Sequence, residues 1–172
     1  TQETGYPWDG SITLTVEPLK SSLRKEIRMR IPGWCKQYSI AVNGEQIIDP
    51  QIENGYLVIE RKWISGDKIT LSLDMPTEII AADPRVKENI GKRAIQRGPL
   101  VYCAEEADNP SFDEVILTPD AEIRERFNSS LLNGVTTIDA IRGDKTVRFI
   151  PYYAWDNREA GEMKVWIDYT VN

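Results

Sequence analysis

The sequence predicts an all-β protein of antiparallel sandwich units, on three observations. Apolar and polar residues alternate in short runs, turn residues punctuate those runs at close intervals, and helical periodicity is almost missing. In residues 11–17, Ile12, Leu14 and Val16 share one face of an extended chain, because successive side chains point to opposite sides. The same alternation returns in residues 26–31 and 68–75, as in strands with one wet face.

Residues 38–42 run into Asn43-Gly44, a dipeptide whose tolerance of positive φ suits a two-residue hairpin loop, so residues 45–48 are expected to return. Asn54-Gly55 ahead of residues 56–60, and Ser65-Gly66-Asp67 ahead of Lys68, predict two more turns. After Met75 the texture changes: Pro76, Pro84, Pro99 and Pro110 interrupt a mixed-charge stretch, which places a boundary near Pro76 and divides the chain into 1–76 and 77–172.

Beyond that boundary, residues 100–104 form a continuous apolar run expected to be buried on both faces, and residues 115–117 a brief strand. Further strands are expected at 135–141, 146–153 and 162–171, the last with the most regular alternation in the chain. Only residues 120–127 resemble a helix, with Ile123 and Phe127 four apart, and that segment is too short to be stable alone.

The 172 residues suit one domain or two small ones, and a hydrophobic content of 41% is enough for a real core. A net charge of −6 repels polyanions and argues against a nucleic-acid partner. No apolar run is long enough for a membrane span, and no secretion signal is visible. A first residue Thr1 fits a processed protein or a piece of a longer one.

Histidine is absent, which excludes His-based triads and His-ligated zinc within this chain. Cys35 and Cys103 are far apart and neither lies in a C-x-x-C pair, so both read as small buried hydrophobes. Glu105 and Glu106 are adjacent and would point to opposite faces of a strand, with Asp108 in a loop; all three read as solvated charges rather than a glycosidase pair. Gly98-Pro99 reads as a turn, not a phosphate loop.

Five Trp and seven Tyr raise a second possibility, because aromatic faces stack on the apolar faces of sugar rings. Trp8 and Trp34 fall at strand ends and Trp63 precedes a turn; packing at the sandwich rim and an exposed contact surface are both open for them. Tyr152, Tyr153 and Trp155, edged by Asp156, Asn157 and Arg158, form the densest aromatic cluster. It is the best candidate for carbohydrate or interdomain contact, against the alternative of a strand end plugging a core.

Six strings, spread in order over almost the whole chain, carry a resemblance. They are residues 6–10 (Tyr-Pro-Trp-Asp-Gly), Leu23-Arg24 leading to residues 30–34 (Arg-Ile-Pro-Gly-Trp), Val42-Asn43-Gly44, residues 63–67 (Trp-Ile-Ser-Gly-Asp), 96–102 (Gln-Arg-Gly-Pro-Leu-Val-Tyr) and 150–155 (Ile-Pro-Tyr-Tyr-Ala-Trp). Together they resemble the β-L-arabinofuranosidase-like glycoside hydrolases, family 127. The resemblance implies a bacterial enzyme whose upstream (α/α)6 barrel hydrolyses the glycosidic bond through a zinc-bound cysteine. Two jelly-roll-like sandwich regions follow that barrel.

None of the catalytic motifs has a counterpart in this chain, so no catalytic residue, no metal ligand and no cofactor is expected in it. The first sandwich would be incomplete and the second close to complete. The expected role is that of a noncatalytic accessory region packed on the barrel of the same polypeptide. Arabinose-containing plant glycans and a second copy in a homodimer are further expected partners. An autonomous carbohydrate-binding module and a structural or oligomerisation domain are the alternatives, and the compartment, cytoplasm or periplasm, stays open.

Overall fold

A computed structural model describes residues 1–17 and 21–171. The chain divides into two compact units, Thr1–Met75 and Pro76–Asn172. The helices among the described residues are 3₁₀ turns of three residues each, and the rest of the regular structure is strand.

The first unit runs β1 (Gln2–Thr4), β2 (Ser11–Thr15), β3 (Leu23–Arg30), β4 (Tyr38–Val42), β5 (Glu45–Gln46), β6 (Ile52–Glu53), β7 (Tyr56–Trp63) and β8 (Lys68–Leu73). These form two antiparallel sheets, ordered β1-β2-β8-β4-β5 and β3-β7-β6. Burial alternates strictly along β8, with Ile69, Leu71 and Leu73 inside and Lys68, Thr70 and Ser72 outside. Ile40, Ile69 and Leu71 from the larger sheet meet Met29, Leu57 and Ile59 from the smaller in one cluster, the interior of a sandwich.

Turn chemistry sets the register. Asn43 and Gly44 take φ of 54° and 84°, the two positive values a tight hairpin between β4 and β5 requires. Asn43 also tethers the neighbouring turn, donating through Nδ2 to Asp67 Oδ1 at 2.8 Å and accepting from the Lys68 N–H at 2.8 Å. The returning strand β5 is shorter than the alternation predicts. After Gln46 the chain turns away through Asp49, at φ 52°, and Pro50, and leaves Ile48 exposed.

The smaller sheet does not cover the larger. A cleft of about 370 Å³ opens between β1, β2 and β8 on one side and β3 on the other, lined by Ile12, Leu14, Met29, Leu71 and Leu73, with Tyr6 and Arg30 among its other residues. One edge of β3 is hydrogen-bonded to β7 over eight residue pairs, and the other edge meets no strand among the described residues.

The second unit comprises β9 (Thr77–Ala81), β10 (Lys92–Arg97), β11 (Leu100–Glu105), β12 (Ile116–Leu117), β13 (Glu122–Asn128), β14 (Val135–Arg142), β15 (Lys145–Pro151), β16 (Met163–Lys164) and β17 (Ile167–Tyr169). They join in one sheet with the path β12-β17-β10-β11-β15-β14-β13, to which β9 and β16 attach at β10 and β11; only β12 with β17 is parallel. Ile95 on β10, Leu117 on β12, Ile138 on β14 and Ile167 on β17 share one core, so the sheet curls over its own inner face. Tyr102 and Cys103 on β11 are both fully buried, one in that core and the other in a second cluster with Ile150 and Ala154. The two-sided burial predicted for residues 100–104 therefore holds from Tyr102 to Ala104, whereas Val101 is 41% exposed and Leu100 only partly buried.

Three sequence expectations need correction. Residues 120–127 are not helical: β13 pairs with β14 over seven residues, a full ladder that a single turn of helix with one i, i+4 contact cannot rival. Phe127 is accordingly exposed, while Ile123 packs on the core. The expected strand at 162–171 is divided, because β16 pairs with β11 and β17 with β10, and the chain changes partner at Val165 and Trp166. The strand expected to reach Tyr153 ends at Pro151, where the backbone enters a 3₁₀ turn, Tyr152–Ala154.

Candidate functional site

The site with the most chemistry lies at the end of β15. Ala154 points inward and joins the buried cluster of Cys103 and Ile150, which pins the middle of the turn to the unit. Its neighbours consequently face out: Tyr152, Tyr153 and Trp155 are 44%, 51% and 37% exposed. The rings of Tyr152 and Trp155 lie near parallel, 6.4 Å between centroids with 19° between planes.

Behind this turn stands a charge clamp. Arg158 Nη1 donates to Asp108 Oδ1 at 2.9 Å and Nη2 to Asp108 Oδ2 at 2.6 Å, while Nη2 also bonds Glu105 Oε2. The other oxygen of Glu105 accepts the backbone N–H of Asp156 at 2.8 Å, and Asp156 holds a φ of 59°. Asn157 Nδ2 closes the segment onto the carbonyls of Ala154 and Trp155 at 3.2 and 3.0 Å. The hydrogen bonds that Arg158 donates to Asp108 and Glu105 hold its pKa above the ordinary value against the opposing effect of burial.

This corrects the reading of Glu105 and Asp108 as solvated charges. Glu105 is only 7% exposed, and the Asp108 side chain 13%. The one sequence signal is that Glu105 directly continues the apolar run Tyr102-Cys103-Ala104, where a carboxylate carried into the interior needs a partner. With both groups engaged by Arg158, neither is placed as an acid or base for glycoside cleavage. Glu106 is engaged elsewhere, accepting the Glu162 N–H at 3.0 Å.

The remaining candidates belong to the first unit. Trp8 is exposed in the turn before β2, and Trp34 is half-buried, stacked on Tyr6 at 6.5 Å. Trp63 is neither rim nor contact surface: it is 2% exposed within the core, its Nε1 donating to the Lys25 carbonyl at 2.8 Å.

The residues present do not fit a zinc-thiolate centre. Cys35 and Cys103 lie in different units, and no group of three His, Cys, Asp or Glu among the described residues is arranged to hold a metal. Burial pushes the Cys103 thiol up to about 12, with Glu105 acting in the same direction, and the side chain has no exposed surface. Cys35, also raised by burial, donates its S–H to the Gln37 carbonyl.

Comparison with known proteins assigns both units. Residues 1–75 match the family described as "Beta-L-arabinofuranosidase, GH127 middle domain", and residues 77–168 match the "Glycoside hydrolase family 127 C-terminal domain". The chain is 36% identical to a non-reducing end β-L-arabinofuranosidase of Bifidobacterium longum subsp. longum, over 95% of this chain and 29% of that protein. Among solved structures, a GH127 β-L-arabinofuranosidase from Geobacillus stearothermophilus T6 superposes with a TM-score of 0.88 at 42% identity, covering 98% of this chain and 30% of that one. A second GH127 β-arabinofuranosidase gives 0.85 at 33% identity, with 98% and 31% covered. The chain thus spans about three tenths of the length of the relatives it matches, and by its two domain matches it belongs to glycoside hydrolase family 127, in the middle and C-terminal β-domains of that family.

Proposed function

We propose that the chain is the accessory β-domain region of a glycoside hydrolase acting on β-L-arabinofuranosides. Hydrolysis and the zinc that the family resemblance implies reside in an upstream barrel of the same polypeptide. The observation that carries this reading is the pair of consecutive domain matches, which together account for residues 1–75 and 77–168 while the curated relative is more than three times as long. The local chemistry agrees, since the carboxylates Glu105 and Asp108 are committed to Arg158 and the two thiols lie in different units. The region stabilises the barrel and shapes its entrance or a contact between two copies.

The first unit, on this reading, is part of a sandwich that a further strand of the same polypeptide completes. A strand laid along the edge of β3 opposite β7, which meets no strand among the described residues, would cover Ile12 and Leu14 and fill the cleft beside Met29, Leu71 and Leu73.

Two measurements test this. The purified chain, incubated with p-nitrophenyl β-L-arabinofuranoside, is expected to release nitrophenol no faster than buffer does, whereas a protein that also carries the barrel releases it; turnover by the chain alone overturns the assignment. In hydrogen exchange, the amides of residues 23–30 should exchange faster in the isolated chain than in the longer protein, and equal protection rules out the added strand.

A further inference from the structure

We infer that the Tyr152–Trp155 turn is a carbohydrate-binding platform, which takes the apolar face of a neutral furanose or pyranose ring; this deepens the accessory role proposed above and rests on it for the choice of sugar. Three large rings stand in solvent on four consecutive residues, and the backbone that carries them is tied down on both sides. Ala154 is buried, the Asp156 N–H is fixed by Glu105, Asn157 closes the turn, and Arg158 is tied to Glu105 and Asp108. Aromatic side chains offer contact area with few rotatable bonds, and a preset backbone removes the ordering penalty that a mobile loop would carry on binding.

The surroundings select the ligand. The rings are followed directly in the chain by the exposed polar residues Asp156 and Asn157, while the aliphatic side chains near the turn, Leu131, Leu132, Met163 and Val165, are partly buried against the cluster of Ala154. The Asp156 carboxylate and the Asn157 Oδ1 have no hydrogen-bond partner among the described residues, and sugar hydroxyls can donate to both. Acidic residues on this edge, with a chain charge of −6, disfavour uronates and phosphates and leave neutral sugars. Ring stacking on the apolar face together with acceptors at the edge is the chemistry of sugar recognition.

The test is titration of the chain with arabinofuranose-containing oligosaccharides, followed by calorimetry and by the tryptophan fluorescence change that the wild type shows and Trp155→Phe lacks. Saturable binding at millimolar concentrations is expected, at least about tenfold weaker in Trp155→Ala and Tyr152→Ala. Trp155→Phe keeps a ring and retains part of the affinity, which separates a lost contact from a lost fold. Asp156→Gly, which removes the carboxylate and tolerates the φ of 59°, weakens binding with little change in the unfolding midpoint. Absence of saturable binding, or binding unchanged in Trp155→Ala, overturns the inference, as does a longer protein in which Trp155 is shielded from aqueous quenchers without any sugar, since the turn is then a seat for the rest of the polypeptide. The nitrophenol assay is independent of all these outcomes, so the accessory assignment stands or falls separately.

Discussion

Arg158 meets Asp108 with both terminal nitrogens, at 2.9 and 2.6 Å, and with one of them also reaches Glu105, fifty-three residues earlier in the chain. A planar guanidinium between two carboxylates fixes direction as well as distance, so the end of β11, the turn after it and the segment following β15 form one rigid corner.

Removing the cation leaves the 7% exposed Glu105 carboxylate without a charge partner. Arg158→Ala is therefore expected to destabilise the second unit by about 3–5 kcal/mol, the usual cost of breaking a buried pair from one side. Arg158→Lys should recover only part of this, because an ammonium cannot serve both carboxylates with the same geometry. Hydrogen exchange of the second unit's amides in increasing urea measures the difference; a change within the range of ordinary surface mutations, about 0.5 kcal/mol, is incompatible with the clamp.

Acid should act through Asp67, whose carboxylate is held below the ordinary range first by the Asn43 amide and then by the Ile64 N–H. The folded chain binds a proton at this group less readily than the unfolded chain does. Its contribution is therefore complete above the unfolded value, near 4, and is lost as the pH falls through the lower folded one. Asp67→Asn cannot titrate, so the gap in urea midpoint between the wild type and this variant should narrow from about pH 5 to about pH 3. A gap that is constant or widens toward acid contradicts the assignment.

Period-2 patterning and Asn-Gly turns made the first unit readable, since both are local: β2, β4, β7 and β8 lie where the alternation puts them, and Asn43-Gly44 takes the φ values that its turn requires. What was not readable depended on partners distant in sequence. Residues 122–128 become a strand because β14 lies alongside, and the 162–171 pattern breaks because its two halves pair with different strands. The aromatic turn was visible as composition, whereas the clamp behind it joins residues 105, 108 and 158 through a fold that no spacing reveals.

Two tryptophans separate core from surface. Trp63, 2% exposed and hydrogen-bonded to Lys25, should cost about 3–5 kcal/mol on truncation to Ala, by lost burial and the cavity left behind. Trp8, 57% exposed, should cost well under half of that. Thermal melts of the two variants decide it, and equal losses would remove the distinction between the sandwich interior and its turns.

Thiol chemistry reports on the same corner as the clamp. Cys103 has no exposed surface, and burial pushes its thiol up to about 12, so at pH 8 it is almost wholly un-ionised as well as covered. Cys35 is only partly covered, though burial raises it too and its S–H is engaged by Gln37 at 3.0 Å. With a disulfide reagent at pH 8, Cys35 is expected to react slowly in the native protein and Cys103 only after denaturation. Because Cys103 sits two residues before Glu105 and shares a cluster with Ala154, loosening the clamp by Arg158→Ala opens the path to it. The variant should then label at Cys103 without denaturant, even though loss of the nearby cation favours the neutral thiol. Peptide mapping of the labelled protein distinguishes the two sites, and native wild type that labels at both cysteines at one rate contradicts the buried corner altogether.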